Sequence, residues 1–510
     1  MLPMSPGSAG FSEALPDEAA TRRLAVDIAA ALEPGDLLTL SGDLGAGKTT
    51  FARALIRHLA GDENAEVPSP TFTLMQSYDL PRLPLVHADL YRLSGPSELA
   101  ELGFDDIPDK AVVLLEWPDR AAGVLPADRF DLALTLSPQH GDSYRNARLT
   151  GYGKFAARAE RIATVRRFLD ASGYRDAERR HMTGDASSRS YERLIRDGRS
   201  VLLMNAPRRP DGPPIRDGKP YSAIVHLAED VTPFIAMARG LRARGFSAPE
   251  ILAADRNAGL LIIEDLGTAF IAAGHPPAPV EERYATAVDV LLALHRQALP
   301  DTLPVEPGLD YTLPHYDSDA LLTEVELLPD WYLPRLGASL TSAKRDTYLA
   351  LWHDALSPVI DGPRTWVLRD YHSPNLLWLA DRADTGRVGL IDFQDAVIGP
   401  PAYDLASLLQ DARVDVPEKM EIALFSRYMR ARMQEPGFDA ATFAQLYATL
   451  AAQRASKILG IFARLDKRDG KPQYLRHIPR VWAYLRRALA HPALKPLAAW
   501  YGVNVPALKT

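Results

Sequence analysis

The eight residues Gly42-Asp43-Leu44-Gly45-Ala46-Gly47-Lys48-Thr49 lie between an apolar run, DLLTLSG, and a helical pattern, TTFARALIRHLAG. This is the spacing of a phosphate-binding loop that joins a buried strand to a helix, and such a junction demands an α/β sheet around it. Glycines reach backbone conformations closed to other residues, so successive N–H groups can close on phosphate oxygens, and the helix N-terminus adds a favourable dipole. Gly42, Gly45, Ala46, Gly47, Lys48, Thr49 and Thr50 form the candidate nucleotide-binding set. Lys48 would reach the β- and γ-phosphates of ATP, and the Thr49 hydroxyl would ligate Mg²⁺.

A domain of this kind accounts for less than a third of 510 residues, so the length predicts at least one further domain. Hydrophobic residues at 47% and charged residues at 24% are those of an ordinary folded chain. The N-terminus lacks a basic segment followed by an apolar run, and no window has the apolar length of a membrane span, so a cytoplasmic protein without a membrane partner is expected. With no cysteine, disulfides, thiolate nucleophiles and cysteine-ligated metals are excluded. Residues 1–155 carry 22 acidic and 13 basic side chains, against 43 and 45 in the remainder. An acidic first part is poorly suited to gripping a phosphate backbone, so any service to nucleic acid would run through partners.

Along the first part, ATRRLAVDIAAAL reads as a helix, LPLVHADL and AVVLLEW as strands ending in acids, and RFDLALTLSP with RNARLTGYG as a closing hairpin. Hydrolysis beside a P-loop needs an acid behind the metal and a group that orients water, and the strand-end acids Asp89 and Glu116 qualify. GDLGAGKTTFAR, VPSPTFTL, HADLYRL and LLEWPDR, in this order, resemble the TsaE family, ATPase subunits of the bacterial machinery that makes threonylcarbamoyl-adenosine in tRNA. The resemblance implies a switch-like loop at residues 69–73, Glu116 supporting Mg²⁺ beside Thr49, Asp89 near the γ-phosphate and attacking water, and Trp117 near the nucleotide or a partner. It also implies TsaB- and TsaD-type partner subunits, with tRNA engaged only indirectly.

The second part contains VLRDYHSPNLLWL and, downstream, VGLIDFQDAVIG. Asp370 and Asn375 stand at the D-x-x-x-x-N spacing of a kinase catalytic loop, and Asp392 opens a D-F-x triplet after an apolar strand. Phosphoryl transfer needs a carboxylate for the acceptor hydroxyl, here Asp370, and oxygen ligands for Mg²⁺, here Asn375 and Asp392. Upstream, GDASSRSYERL reads as a loop over phosphates, with Ser187 and Ser188 as contacts, and GLLIIEDLG as a strand entering a hinge whose backbone from Glu264 to Leu266 would bind adenine. These segments resemble the aminoglycoside phosphotransferase group. DASSRSYERL, IIEDLG, RDYHSPN, IDFQDA and KILGIFARLDKRDGKPQYLRHIPR narrow the likeness to AmgK-like sugar kinases, which phosphorylate the anomeric hydroxyl of N-acetylmuramate or N-acetylglucosamine in cell-wall recycling. That resemblance implies a small amino sugar as acceptor and Asp404 bracing the catalytic loop. His295 reads as a packed core histidine.

The expected architecture is α/β: a P-loop domain with a mainly parallel sheet over 1–155, then a bilobal α+β kinase-like domain over 156–510. Its small lobe would span about 156–266 and its helical large lobe 267–510. The strand SVLLMNAP carries no phosphate-pairing lysine, so Arg193 or Lys219 is expected to compensate, and a pseudokinase that binds nucleotide without transferring it stays open. So do another small hydroxylated acceptor for the second domain and a generic nucleotide kinase for the first. Residues 451–487 hold ten basic and two acidic side chains, with FARLDKRDGKPQY read as a loop; a basic lobe suits an anionic acceptor better than a polycation.

Overall fold

The computed structural model describes residues 7–99, 104–182 and 189–506. They fall into two compact units, Met1–Thr183 with Tyr191–Ser200, and Gly184–Ser190 with Val201–Thr510. The expected boundary at 155 thus coincides with the start of a helix that packs on the first sheet. No helix among the described residues is long and apolar enough to cross a membrane.

In the first unit, strands β1 (Ser8–Leu15), β2 (Leu37–Ser41), β3 (Met75–Asp79), β4 (Pro84–Asp89), β5 (Val112–Glu116), β6 (Arg129–Leu136) and β7 (Arg145–Tyr152) form one sheet in the order β1-β7-β6-β2-β5-β4-β3. Its centre, β6-β2-β5-β4, is parallel, and antiparallel partners close both sides, so the sheet is mixed. Alternation in β6 and β7 gives the expected hairpin, whereas edge strands β1 and β3 carry weak patterns that the sequence reading passed over. Helix α1 (Glu18–Ala31) starts at Asp17, whose side chain accepts from the Ala20 N–H at 2.7 Å. Helix α2 (Lys48–Ala60) begins at Gly47 with no side-chain cap, which leaves its first N–H groups facing the loop. Leu24, Ile28, Phe51, Leu55, Leu38, Leu114 and Phe130 pack these layers together. Helix α3 (Ala156–Ala171) covers β1 and β7, and strands β8 (Glu178–Met182) and β9 (Ser190–Arg196) pair antiparallel.

In the second unit, β10 (Arg199–Asn205) pairs with β12 (Leu260–Glu264), which pairs with β11 (Ile251–Asp255), all antiparallel, and helix α4 (Thr232–Arg242) lies between them in sequence. Beyond Leu266 helices dominate, as expected. Helix α5 (Glu281–His295) packs against α7 (Glu418–Arg432), and the short strands β13 (Thr365–Val367), β14 (Leu376–Trp378), β15 (Val388–Leu390) and β16 (Val397–Gly399) pair β13 with β16 and β14 with β15. Helix α6 (Ala402–Leu409) follows β16, and α8 (Ala440–Asp469) is the longest helix. Here the structure corrects the expected loop FARLDKRDGKPQY. α8 runs through Asp469, because Phe462 and Ala463 keep the buried spacing, and stops at Gly470, whose φ of 63° serves a left-handed C-cap.

Candidate functional sites

The P-loop bridges β2 and α2, with Gly42, Gly45 and Gly47 all at positive φ. A Cβ at Gly42 would fall 2.1 Å from the Leu134 carbonyl oxygen, so a side chain there is excluded by both space and backbone. Lys48 is buried. Its Nζ donates to the carbonyls of Gly42 at 2.7 Å and Asp43 at 2.9 Å and sits 3.7 Å above the centre of the Trp117 ring. Burial lowers its pKa, opposed by the charges of Glu116, Asp89 and Asp43. Thr50 follows Thr49 in the first turn of α2.

β4 and β5 run parallel with Asp89 opposite Glu116, which brings both strand-end acids to one edge of the loop. The Thr49 hydroxyl lies 3.3 Å from each Glu116 oxygen, and Glu116 also meets His87 Nε2 at 3.0 Å. Asp89 accepts from the Thr71 hydroxyl and the Tyr91 N–H at 2.7 and 2.9 Å, so the 69–73 loop is tied to the acid expected near the γ-phosphate. A hydroxyl facing a carboxylate is the oxygen donor set that Mg²⁺ takes, and these residues fit it. Arg145, which the sequence reading did not single out, donates to the Gly45 carbonyl at 3.3 Å. Its place beside the loop comes from pairing of β7 with β6, and no local spacing announced it.

In the second unit the catalytic loop joins β13 to β14. Asp404, at the start of α6, accepts from the N–H groups of Leu368 at 2.6 Å and Arg369 at 2.9 Å, so it braces the loop as the resemblance implies. Arg369 adopts φ of 65° and Asp392 φ of 60°, a left-handed backbone that costs energy in non-glycine residues and collects at working sites. The Ile391 N–H donates to the Asn375 carbonyl at 3.1 Å, which sets Asn375 beside Asp392; Asn375 Nδ2 is 3.0 Å from the Asp370 carbonyl and 3.3 Å from Asp392 Oδ2. Asp370, Asn375 and Asp392 are therefore brought together, and the amide and carboxylate oxygens of the last two suit a hard cation.

The Asp370 side chain is 45% exposed, and His372 Nε2 stands 3.6 Å from its Oδ1. Burial of the loop raises the Asp370 pKa, but the hydrogen bond and charge of His372, with Lys457 and Arg369, outweigh it and hold the carboxyl well below its usual range. Behind the loop, buried Glu324 collects the Arg369 guanidinium at 2.6 Å, Lys457 Nζ at 2.7 Å, the Tyr316 hydroxyl at 2.5 Å and Gln453 at 3.0 Å. These residues are far apart in sequence, and nothing in their spacing pointed to the cluster.

Strand β10 presents buried Leu203 and Met204 where a lysine was missed. Arg193 lies in β9 opposite Arg180, and Lys219 pairs with Arg216 in a small hairpin. Among the described residues, the cation bonded to Asp392 is Arg189, 2.8 Å from Oδ1. Asp392 Oδ1 also accepts from Gln394 at 3.1 Å, and Phe393 stacks on Phe234 of α4 with ring centres 5.0 Å apart. At the hinge the Glu264 N–H is committed to the Glu250 carbonyl at 2.8 Å, and the Glu264 carboxylate pairs with Arg382 and Arg242, whereas the Leu266 backbone has no partner among the described residues. Ser187 and Ser188 lie outside the described residues. His295 donates to or accepts from the Tyr428 hydroxyl at 2.8 Å inside the α5–α7 packing, as a core histidine does.

A P-loop on an α/β sheet, followed by a braced catalytic loop with its aspartate, asparagine and D-F-x aspartate, defines an ATPase-type domain joined to a kinase-type phosphotransferase domain. Residues 15–146 match the family model of threonylcarbamoyl adenosine biosynthesis protein TsaE, and residues 178–437 match that of the phosphotransferase enzyme family. The chain belongs to the phosphotransferase enzyme family and carries a TsaE-family ATPase domain ahead of that part. It is 41% identical over 361 residues to an N-acetylmuramate/N-acetylglucosamine kinase of Caulobacter vibrioides, covering 68% of this chain and 98% of that protein. A kinase of the same name from Pseudomonas aeruginosa is 33% identical over 60% of this chain and 82% of its own length. In the first part, a tRNA threonylcarbamoyladenosine biosynthesis protein TsaE of Rickettsia bellii is 39% identical over 122 residues, 24% of this chain and 84% of that protein.

Proposed function

We propose that the chain is bifunctional. Its first domain hydrolyses ATP as the TsaE-type subunit of the threonylcarbamoyl-adenosine machinery, with TsaB- and TsaD-type partners, and meets tRNA only through them. Its second domain transfers the γ-phosphoryl group of ATP to the anomeric hydroxyl of N-acetylmuramate or N-acetylglucosamine, a reaction of cell-wall recycling. The observation that carries the second assignment is an exposed, ionised Asp370 held beside Asn375 and Asp392. Asp370 orients the acceptor hydroxyl and takes its proton as the oxygen bonds to phosphorus and the bond to the bridging oxygen of the departing ADP breaks. Asn375 and Asp392 would hold Mg²⁺, as would Thr49 and Glu116 in the first domain, and the metal supplies charge compensation on the phosphates. Arg189 serves as the phosphate-side cation, and the hinge from Glu264 to Leu266 receives adenine. In the first domain Asp89 positions the attacking water and Lys48 leaves its carbonyl partners for the phosphates.

Phosphorus NMR with ATP, Mg²⁺ and each sugar tests this in the full chain. A sugar 1-phosphate signal that is lost in Asp370→Ala and kept in Lys48→Ala is expected. In cells relying on this protein, Lys48→Ala is expected to lose the tRNA modification. ATP binding by the second domain without any sugar phosphate would favour the nucleotide-binding regulator that the apolar β10 strand also allows.

A further inference from the structure

The two flanks of the P-loop carry different chemistry. Asp89, Glu116 and the Thr49 hydroxyl come from β4, β5 and α2, on one side of β2 in the sheet order. On the other side stand β6 and β7. Arg145 is the first residue of β7 and lies opposite Leu136, the last of β6, so it stands at the carboxyl edge of the parallel strands, where β2 gives way to the loop. Ligands of open α/β sheets bind along that edge.

Arg145 Nη1 donates to the Asp142 carbonyl at 2.5 Å, and Nη2 to the Gly45 carbonyl at 3.3 Å. A Cβ built on Gly47 would come 3.8 Å from Arg145 Nε, so the guanidinium lies along the loop from Gly45 to Gly47. Both of its partners are neutral carbonyls, and among the described residues no carboxylate pairs with it. Arg158, Arg166 and Arg179 of the same unit each hold one. A guanidinium has five N–H donors in a planar fork that matches phosphate oxygens, and this half-buried one keeps donors to spare beside a phosphate cradle. Lys48 sits instead among the charges of Glu116, Asp89 and Asp43. The γ-phosphate goes with the metal and its acids, so the end of the phosphate chain left for the Arg145 flank is the one nearer the ribose.

We propose that Arg145 binds the α- and β-phosphates of the nucleotide held by the P-loop, as a second cation remote from Thr49 and Glu116, and so grips ADP as firmly as ATP. This deepens the ATPase reading of the first domain and rests on it. Isothermal titration of the full chain with ADP and with ATP tests it, in the parent, Lys48→Ala, Arg145→Gln and Arg145→Lys. The binding class missing from Lys48→Ala defines the P-loop site and separates it from that of the second domain. Glutamine keeps an N–H donor for the Gly45 carbonyl and loses the charge, whereas lysine keeps the charge. The expected result is a weakening of that class by about tenfold or more in Arg145→Gln, by the same factor for ADP and ATP, with much of it restored in Arg145→Lys. Equal affinity in the parent and Arg145→Gln would reduce Arg145 to a brace of the Gly45 carbonyl and overturn the proposal. Loss for ATP alone would put the guanidinium at the γ-phosphate and likewise overturn it. Equal weakening in both Arg145 variants would trace the effect to the shape of the loop rather than to charge, and would also overturn it. If no class is missing from Lys48→Ala, the P-loop holds no nucleotide, and the ATPase reading falls together with the proposal.

Discussion

Arg189 reaches Asp392 from a segment that precedes β10, while the strand itself offers only leucine and methionine side chains to the interior. A charge-assisted contact to phosphate has an expected worth of about 1.5–3 kcal/mol, which corresponds to roughly ten- to hundredfold in affinity. Arg189→Ala is accordingly expected to raise the KM for ATP in sugar phosphorylation by that factor, with Arg189→Lys in between. An unchanged KM would reduce the Arg189–Asp392 pair to a structural ion pair. At this scale the sequence was readable wherever a site is built from one contiguous loop, as in Gly42 to Thr49 or Asp370 to Asn375. It was silent on Arg145, Arg189 and Glu324, because each acquires its neighbours through pairing or packing of distant segments.

Helices α5 and α7 meet around His295, whose Nε2 is buried without a partner while Nδ1 engages Tyr428. Burial, reinforced by Arg432, pushes the His295 pKa down to about 3. A histidine depressed in the fold contributes stability that is fully present above its unfolded value of about 6.5 and is lost as pH falls toward the folded value. The expected slope approaches ~1.4 kcal/mol per pH unit below about pH 6.5, for one proton taken up on unfolding. Urea denaturation between pH 7 and 5 should show this slope in the parent and less of it in His295→Gln; identical slopes would remove the histidine from the account. Element type followed from periodicity for α1, α2, α3 and β12, whereas the end of α8 was misplaced because a basic, polar stretch can continue a helix on its exposed face until a glycine stops it.

In the whole molecule the first unit extends beyond the P-loop domain. Asp27 of α1 is bonded by Arg166 of α3 and Arg179 of β8, and Arg179 also holds Glu192 of β9 at 2.8 and 2.9 Å. These side chains are nearly excluded from water. Removing one member of such a network leaves buried charge unpaired, a loss of about 3–5 kcal/mol. Arg179→Met in the full chain is expected to lower the urea midpoint of the first unit by a corresponding amount, read by hydrogen exchange of β2 and α2. Exchange unchanged in those elements would show that the network does not support the P-loop sheet. A cut at residue 155 would separate Asp27 from both of its arginines.

The sequence alone showed the class of both domains, since a P-loop and a D-x-x-x-x-N loop are short-range devices whose residue types and spacing stand in one contiguous stretch. It also determined the parallel centre of the first sheet and the helical character of the chain beyond Leu266, because apolar periodicity is a local property. Tertiary structure alone decided which cation faces Asp392 and how α1, α3, β8 and β9 share buried charge. Those partnerships join residues tens to hundreds of positions apart, and electrostatic pairing at such separations depends on how close the fold brings them, which no local pattern encodes.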